Sequence, residues 1–487
     1  MPLNAGTTGY GSVTGSVAGP GLSASGAGGS ESAPLLIREP EPVPYQQWQP
    51  LTKEELELAA GGPHWRKARC YLLLLFWLAW VAMISGAIAI LIMSPRPVAM
   101  SLEWWQKTLF YRLQPDLLAE KQAGGSVGVN ALCEQLPSLR ALGIGALILE
   151  GLFDKKASSL NLNVTGERFG TLPQIQHLLI ESHRADLKVV LDVCEVDLLG
   201  PRDAVGNSAA DNTFPQHALR FWLEQGVAGF VICDTDAAYS GRTLLEWKGV
   251  FKEFSSEEMK RIAVVKQTRD VLPPLNQGNV TLVDVVMRSI LPSSQYLLST
   301  KEVASAIETR LQTSGEDIWP SWTVGGKASL ELKELLLVLL MTLPGSPAVQ
   351  YDEDLTQAQD KERSVAALFS TLAASRAREE ALLFGSFTFL PFNSSTASNS
   401  SSSNSTLPPP PILAFLRSWG CVHFLVLLNV GPEPGGLDAA RAPSLPTAGV
   451  FVANSRMDRV GSTSLDTLVL RPREAAVIKL FEPGSYS

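Results

Sequence analysis

One stretch of the chain is apolar throughout. Residues 71–93 read YLLLLFWLAWVAMISGAIAILIM and contain no charged side chain. As a helix rising about 1.5 Å per residue, this stretch is roughly 34 Å long, which is enough to cross a hydrocarbon core of about 30 Å. A buried helix of a soluble protein rarely lacks a polar face over such a length. The pattern therefore predicts one membrane-spanning helix over residues 71–93.

The charges that flank this segment predict its orientation. Arg66, Lys67 and Arg69 come directly before it, whereas the residues after it carry mixed charges. Positive side chains mark the cytosolic end of a span. The segment is also too long and too far from Met1 to be a cleaved signal peptide. We therefore expect a type II signal-anchor, with a cytosolic N-terminus and an extracellular C-terminal region.

Beyond the span, short apolar runs typical of strands alternate with helical patterns at intervals of roughly 35 residues. The strand candidates are residues 145–149, 188–192, 229–233 and 262–265, and the helix candidates are residues 132–142, 172–185, 215–225 and 244–254. Such alternation indicates a parallel sheet covered by helices. The length of this region suits a (β/α)8 TIM barrel over residues 104–384, ending in a long helix over residues 363–383.

The pattern then changes to short strands separated by turns. The candidates are residues 387–390, 412–416, 424–429 and 475–480. They predict a small antiparallel β-sandwich domain over residues 385–487, which includes a Ser/Asn-rich loop at residues 393–411.

The remaining segments are a tail and two connections. Residues 1–50 are expected to be a disordered cytosolic tail, because its Gly/Ser/Ala-rich first part cannot form a core. Residues 51–70 form a juxtamembrane segment, in which the capping-box pattern from Thr52 to Glu55 starts a short helix. Residues 94–103 are expected to be a linker.

Composition and charge narrow the possible functions. The net charge of −8 argues against a nucleic-acid partner. Five cysteines are too few for a disulfide framework, and Cys194 and Cys233 lie in strand-like runs, so we expect both to be buried free thiols. No metal or cofactor motif is present, and His177 and His183 are expected to be solvated helix positions.

Five glycosylation sequons all follow the predicted span, which agrees with an extracellular C-terminal region. Their asparagines are Asn163, Asn279, Asn393, Asn399 and Asn404.

Several segments resemble known sequences. Residues 169–171 followed by 187–192, residues 225–230, and residues 340–347 with 351–355 resemble the third, fourth and eighth strand regions of the α-amylase family. A type II anchor joined to such a barrel resembles the heavy chains of the heteromeric amino-acid transporters. Residues 51–56, Trp104-Trp105 and residues 110–112 carry that resemblance, which extends over roughly residues 50–483.

The spacing after the third strand distinguishes two types of heavy chain. Amylases and the other heavy-chain type insert a sizeable domain there. Here only about 20 residues separate Asp192 from the helix at residues 215–225, so no such domain fits. The chain therefore resembles the 4F2 type of heavy chain, with a barrel that lacks the extra domain after strand three.

The resemblance also shows which catalytic groups are missing. Cys233 stands where the family places its nucleophilic aspartate, Lys266 where it places its general acid, and Val324 where it places a third carboxylate. Asp234 follows the nucleophile position but points to the other side of a strand. Only Asp192 remains of the family's first motif. A retaining glycosidase needs two carboxyl groups, so we expect no enzymatic activity.

The resemblance implies a polytopic light chain, L-type or related, which is the actual carrier of amino acids. The heavy chain would stabilise this carrier and bring it to the plasma membrane, and integrins are a further implied partner. From the residues themselves, Ala82, Gly86 and Ala89 form a small-residue face on the span that permits close helix packing. The family places its intersubunit cysteine where this chain has Pro97, so the association is expected to be non-covalent.

A second interpretation is a membrane-anchored adhesion or carbohydrate-binding ectodomain on a catalytically dead amylase barrel. Trp319 and Trp322, near the vacated site, could then stack on sugars, although packing in the core is the other explanation for them. Co-purification of a carrier distinguishes the two interpretations.

Overall fold

The computed structural model describes most of the chain after the tail. The described residues are 52–93, 101–114, 128–153, 171–194, 196, 213–236, 239–257, 259–272, 275–277, 280–313, 318–350, 365–390, 412–436 and 445–481. The chain separates into two compact units, residues 1–96 and residues 97–487.

The N-terminal unit contains two helices, α1 (Lys53–Ala60) and α2 (Pro63–Met93). The predicted capping box is present, with the Thr52 backbone nitrogen donating to Glu55 Oε2 at 3.1 Å. Helix α2 starts before the apolar run, because the basic residues ahead of the run favour helix and Pro63 suits a first helical position. Its segment Pro63–Ile90 has a mean hydropathy of 2.3 and is long enough to cross a membrane.

The second unit begins with a closed barrel of eight parallel strands, as predicted. Their order around the barrel is β1-β10-β9-β8-β5-β4-β3-β2. The barrel strands are β1 (Leu109–Leu113), β2 (Ile144–Leu149), β3 (Lys188–Asp192), β4 (Gly229–Cys233), β5 (Ile262–Gln267), β8 (Val285–Ser289), β9 (Trp319–Thr323) and β10 (Ser346–Gln350). A two-stranded hairpin, β6 (Asn276–Gln277) and β7 (Val280–Thr281), follows β5.

Helices surround the barrel. They are α3 (Trp104–Lys107), α4 (Gly128–Ala141), α5 (Leu172–Arg184), α6 (Thr213–Glu224), α7 (Gly241–Glu253), α8 (Thr300–Gln312), α9 (Leu330–Thr342), α10 (Val365–Arg378) and α11 (Glu380–Leu383).

One local prediction was wrong. The single helix expected over residues 363–383 is two helices, α10 and α11, interrupted at Glu379. The Glu379 carboxylate accepts a hydrogen bond from Lys479 Nζ at 2.7 Å, so the break places this carboxylate against the C-terminal sheet. The segment that resembles the family's eighth strand region contains the end of α9 and then β10, the eighth barrel strand along the chain.

The barrel interior is filled with apolar side chains from alternate strand positions. Phe110, Ile148, Val190, Val231 and Val264 belong to this inner cluster. Trp105 from α3 also belongs to it, and its carbonyl accepts a hydrogen bond from Ser346 Oγ at 2.7 Å. Because α3 directly precedes β1, this tryptophan closes the amino-terminal end of the barrel.

The C-terminal part is the predicted antiparallel β structure. A six-stranded sheet has the order β11-β12-β13-β18-β15-β16, and β14 pairs with β17 in a separate ribbon. The strands are β11 (Ser386–Leu390), β12 (Ile412–Trp419), β13 (Val422–Asn429), β14 (Gly435–Gly436), β15 (Ala448–Asn454), β16 (Ser462–Ser464), β17 (Val469–Leu470) and β18 (Ala475–Phe481).

The two faces of the large sheet pack against different partners. Phe415 and Val426 belong to the same apolar cluster as the barrel helices. Their neighbours along the strands, such as Ala414 and Leu425, pack with Leu465 and Leu470 on the opposite face. This alternation follows the period of two that a strand imposes, and it attaches the sheet to the barrel through one apolar face.

Two buried guanidinium groups lie at the end of α9, and one of them, Arg417, joins the sheet to the barrel. Arg376 donates to the carbonyls of Met341 and Leu343, each at 3.2 Å, and Arg417 from β12 donates to the Thr342 carbonyl at 2.8 Å. The carboxyl end of a helix carries partial negative charge and unpaired carbonyls. Burial lowers the pKa of Arg417 to about 9 and that of Arg376 to about 10, so both stay charged at neutral pH.

Candidate functional site

The carboxyl-terminal end of the barrel is where (β/α)8 enzymes place their active sites. On each strand, the residue two positions beyond an inner apolar side chain also faces inward. Counting from Phe110, Ile148, Val190, Val231 and Val264 gives the next inward-facing positions. These positions are Arg112, Glu150, Asp192, Cys233 and Lys266.

Charged side chains therefore occupy the mouth of the barrel. Arg112 pairs with Glu150 at 2.6 Å, and Gln114 Nε2 donates to the second oxygen of Glu150 at 2.9 Å. Burial raises the pKa of the Glu150 carboxyl, but the charges of Arg112 and Lys266 and the hydrogen bonds outweigh burial, so this pKa is lowered overall. Glu150 is thus a stably ionised partner of Arg112.

Asp192 lies in a different environment. It is only 8% exposed, and its Oδ1 accepts a hydrogen bond from the Cys194 backbone nitrogen at 2.8 Å. Burial raises the pKa of the Asp192 carboxyl to about 6, and the charge of Lys266 offsets this only in part. The carboxylate retained from the family's first motif is therefore the group at this mouth that titrates near neutral pH.

We expect Asp192→Asn to stabilise the protein at pH 7.4, by up to about 3 kcal/mol. The folded-state pKa lies above the ordinary value of 3.8, so the contribution of Asp192 to stability is complete below that value and is lost as the pH rises through about 6. The amide keeps an oxygen for the Cys194 nitrogen and carries no buried charge. Thermal unfolding between pH 4 and pH 8 should show a smaller loss of stability with rising pH in the variant.

The matched control is Asp466→Asn, because Asp466 is exposed. Its unfolding profile should follow that of the unchanged protein within about 0.5 kcal/mol. Parallel pH profiles for the unchanged protein and Asp192→Asn would contradict the assignment of this titration to Asp192.

The position that the resemblance assigns to the nucleophile is part of a disulfide, which corrects the expectation of free thiols. Cys233, the last residue of β4, is bonded to Cys194, with Cα atoms 5.0 Å apart. The register of the two strands accounts for this bond, and the sequence alone does not give that register. Asp192 pairs with Val231 in the parallel register of β3 and β4, so continuing the register by two residues places Cys194 opposite Cys233.

The disulfide also includes two members of a group of possible metal ligands. Cys194, Cys233 and Asp236 bring their ligand atoms within 4.8 Å of one another. The two sulfur atoms are bonded together and offer no thiolate, while Asp236 Oδ2 accepts a hydrogen bond from the Cys233 nitrogen at 2.8 Å. The disulfide joins the ends of the neighbouring strands β3 and β4, and the Asp236 carboxylate bonds the backbone at the end of β4.

Asp234 is turned away from the barrel interior, as its position one residue past Cys233 implies. It is 2% exposed, and its Oδ2 accepts hydrogen bonds from the backbone nitrogens of Thr268 and Arg269 at 3.0 and 2.8 Å. Asp234 therefore orders the loop after β5 and does not face the nucleophile position.

The two other positions that the resemblance assigns to carboxylates are Lys266 and Val324. Lys266 lies directly opposite Cys233 in the register of β4 and β5 and is half-buried. Val324 follows β9 and lines a cavity of about 400 Å³, together with Arg112, Lys333 and Gln350. The cavity wall is otherwise mainly aliphatic.

The two tryptophans considered for sugar stacking do not lie at the vacated site. Trp322 is 2% exposed, packs in the cluster outside the barrel, and donates to the Pro344 carbonyl at 2.7 Å. Trp319 is the first residue of β9, at the amino-terminal end of the barrel, where its Nε1 donates to Ser346 Oγ at 2.9 Å. Both have packing roles.

Of the other predicted residues, some lie within the described part of the chain and some lie outside it. Ala82, Gly86 and Ala89 lie on α2 and are exposed in the N-terminal unit. Pro97 lies outside the described residues. The same is true of the five sequon asparagines, Asn163, Asn279, Asn393, Asn399 and Asn404.

Comparison with known proteins identifies similar proteins over most of the chain. Residues 41–111 match the family described as "Solute carrier family 3 member 2 N-terminus". The "Amino acid transporter heavy chain SLC3A2" of Oryctolagus cuniculus is 27% identical over 93% of this chain and 92% of the relative. This chain is similar to the amino acid transporter heavy chains. The resemblance found in the sequence is thereby confirmed.

This chain is similar to heavy chains of both the SLC3A2 and the SLC3A1 type. The SLC3A2 heavy chain of Mus musculus is 29% identical over 68% of this chain and 65% of its own length. The SLC3A1 heavy chain of Homo sapiens is 20% identical over 69% of this chain and 65% of its own length.

Solved structures confirm the amylase-like fold of this chain. The maltogenic α-amylase AmyB of Thermotoga neapolitana superposes with a TM-score of 0.56 at 12% identity, over 78% of this chain and all of that chain. The trehalulose synthase MutB of Pseudomonas mesoacidophila gives a TM-score of 0.55 at 13% identity, with the same coverage. At this level of identity the likeness concerns the fold alone.

Proposed function

We propose that this chain is a non-catalytic heavy subunit, which associates with a polytopic light chain, stabilises it and delivers it to the plasma membrane for amino-acid transport. The observation that carries the proposal is similarity over 93% of the chain to a protein named as an amino acid transporter heavy chain. A chain with one candidate span among its described residues cannot line a transport path by itself. A carrier must therefore come from another chain, L-type or related.

The absence of catalysis is supported by the mouth of the barrel. Its nucleophile position is occupied by a disulfide, and the positions of the other two carboxylates hold Lys266 and Val324. Each general acid or base contributes about 10²–10⁴-fold to a rate, and covalent catalysis needs a nucleophile. Glycoside hydrolysis therefore has no route through these side chains.

We further propose a type II orientation, with the region after the span outside the cell. Arg66, Lys67 and Arg69 precede the apolar segment, as expected on the cytosolic side. The Cys194–Cys233 disulfide gives independent support, because structural disulfides persist in oxidising compartments. In this orientation all five sequons are available for glycosylation. Integrins stay a further proposed partner, by resemblance to the 4F2 type.

The small-residue face of α2 is our proposed contact with the carrier. A cysteine is missing at the family's linking position, where Pro97 stands, so helix packing and contacts of the extracellular region must hold the subunits together. Apart from the backbone of α2 and the two adjacent residues, no described residue lies within 4 Å of a Cβ built on Gly86, which leaves room there for a neighbouring helix. Close approach of this kind depends on small side chains.

Affinity purification from gently solubilised membranes tests the proposal. We expect a polytopic amino-acid carrier to co-purify and to separate from this chain on a gel without reductant. In the variant Ala82→Leu/Ala89→Leu, the yield of carrier should fall about tenfold, which corresponds to about 1.4 kcal/mol of lost packing.

The control is Ala87→Leu, which introduces one leucine on another side of the same helix and is compared with Ala82→Leu alone as well as with the double variant. It should leave the yield unchanged. Equal losses in both variants would show that the small-residue face is not the contact. Absence of any carrier in cells that express one would overturn the heavy-subunit proposal and favour the independent adhesion or carbohydrate-binding ectodomain.

A further inference from the structure

On the outside of the barrel, two neighbouring helices bring a thiol, an imidazole and a carboxylate together. Cys133 of α4 lies with its Sγ 3.8 Å from Nδ1 of His177 of α5. The other ring nitrogen of His177 lies 3.9 Å from Glu181 Oε1, one helical turn further along α5. Periodicity predicted His177 as a solvated position, but it could not show that a cysteine of another helix faces the ring.

The spacing of the sulfur and nitrogen atoms suits a shared metal ion. Tetrahedral zinc binds thiolate at about 2.3 Å and imidazole at about 2.0 Å, which places the two ligand atoms about 3.5 Å apart. The distance from Cys133 Sγ to His177 Nδ1 is 3.8 Å, so small side-chain movements bring both atoms into bonding range. The His177 side chain is 60% exposed, which leaves room for the ion and for water ligands.

Glu181 occupies the place of an outer carboxylate. Metal-binding histidines usually donate their second ring N–H to a carboxylate, which fixes the tautomer and raises ligand basicity. A hydrogen bond from His177 Nε2 to Glu181 would leave the Nδ1 lone pair facing the thiol. Glu181 also accepts a hydrogen bond from Arg184 NH1 at 2.5 Å, but such an exposed pair contributes little stability and is easily exchanged.

The local charges favour a cation over a free thiolate. Burial and the charge of Glu181, together with the charge of Glu134, raise the pKa of the Cys133 thiol. This environment opposes a reactive free thiolate, so we do not interpret the cluster as a nucleophilic site. A bound dication deprotonates a coordinating thiol outright, and it is attracted by the same two carboxylates.

We propose that Cys133 and His177 form a surface site for Zn²⁺ or a similar borderline transition-metal cation, with Glu181 orienting the imidazole. Binding exchanges the thiol proton for the metal ion, and water completes the coordination. A mixed set of sulfur and nitrogen ligands selects this class of metal over Ca²⁺ or Mg²⁺, which prefer oxygen ligands. The proposal is independent of the heavy-subunit function.

Cobalt titration of the full-length chain in detergent tests the site, because Co²⁺ replaces Zn²⁺ in such sites and gives a sulfur-to-metal charge-transfer band. We expect this band in the unchanged protein and its displacement by Zn²⁺. Cys133→Ser should abolish the band, and His177→Gln should weaken binding at least tenfold. Glu181→Gln should weaken binding about 10–100-fold and keep the band.

Two controls keep the test specific. Cys421→Ser removes an exposed free cysteine elsewhere, and His183→Gln removes an exposed imidazole from the same helix. Neither should change the band or the affinity. A band that survives Cys133→Ser, or no band in the unchanged protein, would overturn the proposal. Should Cys133→Ser unfold, the rise in Tm with Zn²⁺ in the unchanged protein and its loss in His177→Gln still decide the matter.

Discussion

Replacing both Cys194 and Cys233 with serine is expected to lower the free energy of unfolding by about 4 kcal/mol. The bond closes a loop with a sequence separation of 39 residues, and a loop of that length loses much of its entropy in the unfolded chain once it is cross-linked. The bond also holds the ends of β3 and β4 together at the barrel mouth. Guanidinium titrations followed by tryptophan fluorescence, without reductant, measure this difference.

Two comparisons isolate the cross-link from the loss of a thiol. Cys421→Ser removes an exposed free cysteine and should change stability by less than about 0.5 kcal/mol. Reducing the unchanged protein should lower its stability by about as much as the double substitution does. If the double variant unfolds at the same denaturant concentration as the unchanged protein, the bond does not contribute to stability.

Glu474→Ala is expected to destabilise the protein by about 3–5 kcal/mol. The Glu474 side chain is completely buried and binds Arg459 through both oxygens, at 2.7 and 2.8 Å. Its Oε2 also accepts a hydrogen bond from the Arg471 backbone nitrogen at 2.7 Å. Truncation leaves a guanidinium group and a backbone donor without their acceptor at the turn into β18. Equilibrium denaturation of the variant provides the value.

Glu433→Ala is the matched control, because Glu433 is exposed and belongs to the same antiparallel part of the chain. A change of less than about 0.5 kcal/mol is expected there. Glu474→Gln should fall between the two, since the amide can still accept one hydrogen bond. Equal effects of Glu433→Ala and Glu474→Ala would contradict a special role for the buried ion pair.

Strands that are buried on both faces were the easiest elements to predict. The strands β3 and β4 have the bounds that the sequence predicted, because a parallel barrel strand is a continuous apolar run between polar or glycine positions. Strand β9 was missed because Pro320 and the polar residue Ser321 interrupt its apolar pattern. The edge strand β16 contains no large apolar side chain, so periodicity carries no signal for it.

The resemblance assigned Cys233, Lys266 and Val324 to the family's catalytic positions, and that assignment stays a prediction. It could not show that Arg112 and Glu150 meet at the mouth of the barrel. That contact joins β1 to the end of β2, and it depends on the register in which these two strands pair. The disulfide depends in the same way on the register of β3 against β4, and the contact of Cys133 with His177 depends on the packing of α4 against α5.

The guanidinium groups at the end of α9 bear on how the chain is made. Arg417 donates to the Thr342 carbonyl across 75 residues of sequence, so the last turn of a barrel helix is completed by a strand that is synthesised much later. The Thr342 carbonyl therefore meets its guanidinium donor only after β12 has been made. A chain that stops before β12 lacks this buried donor to the barrel helix as well as the sheet.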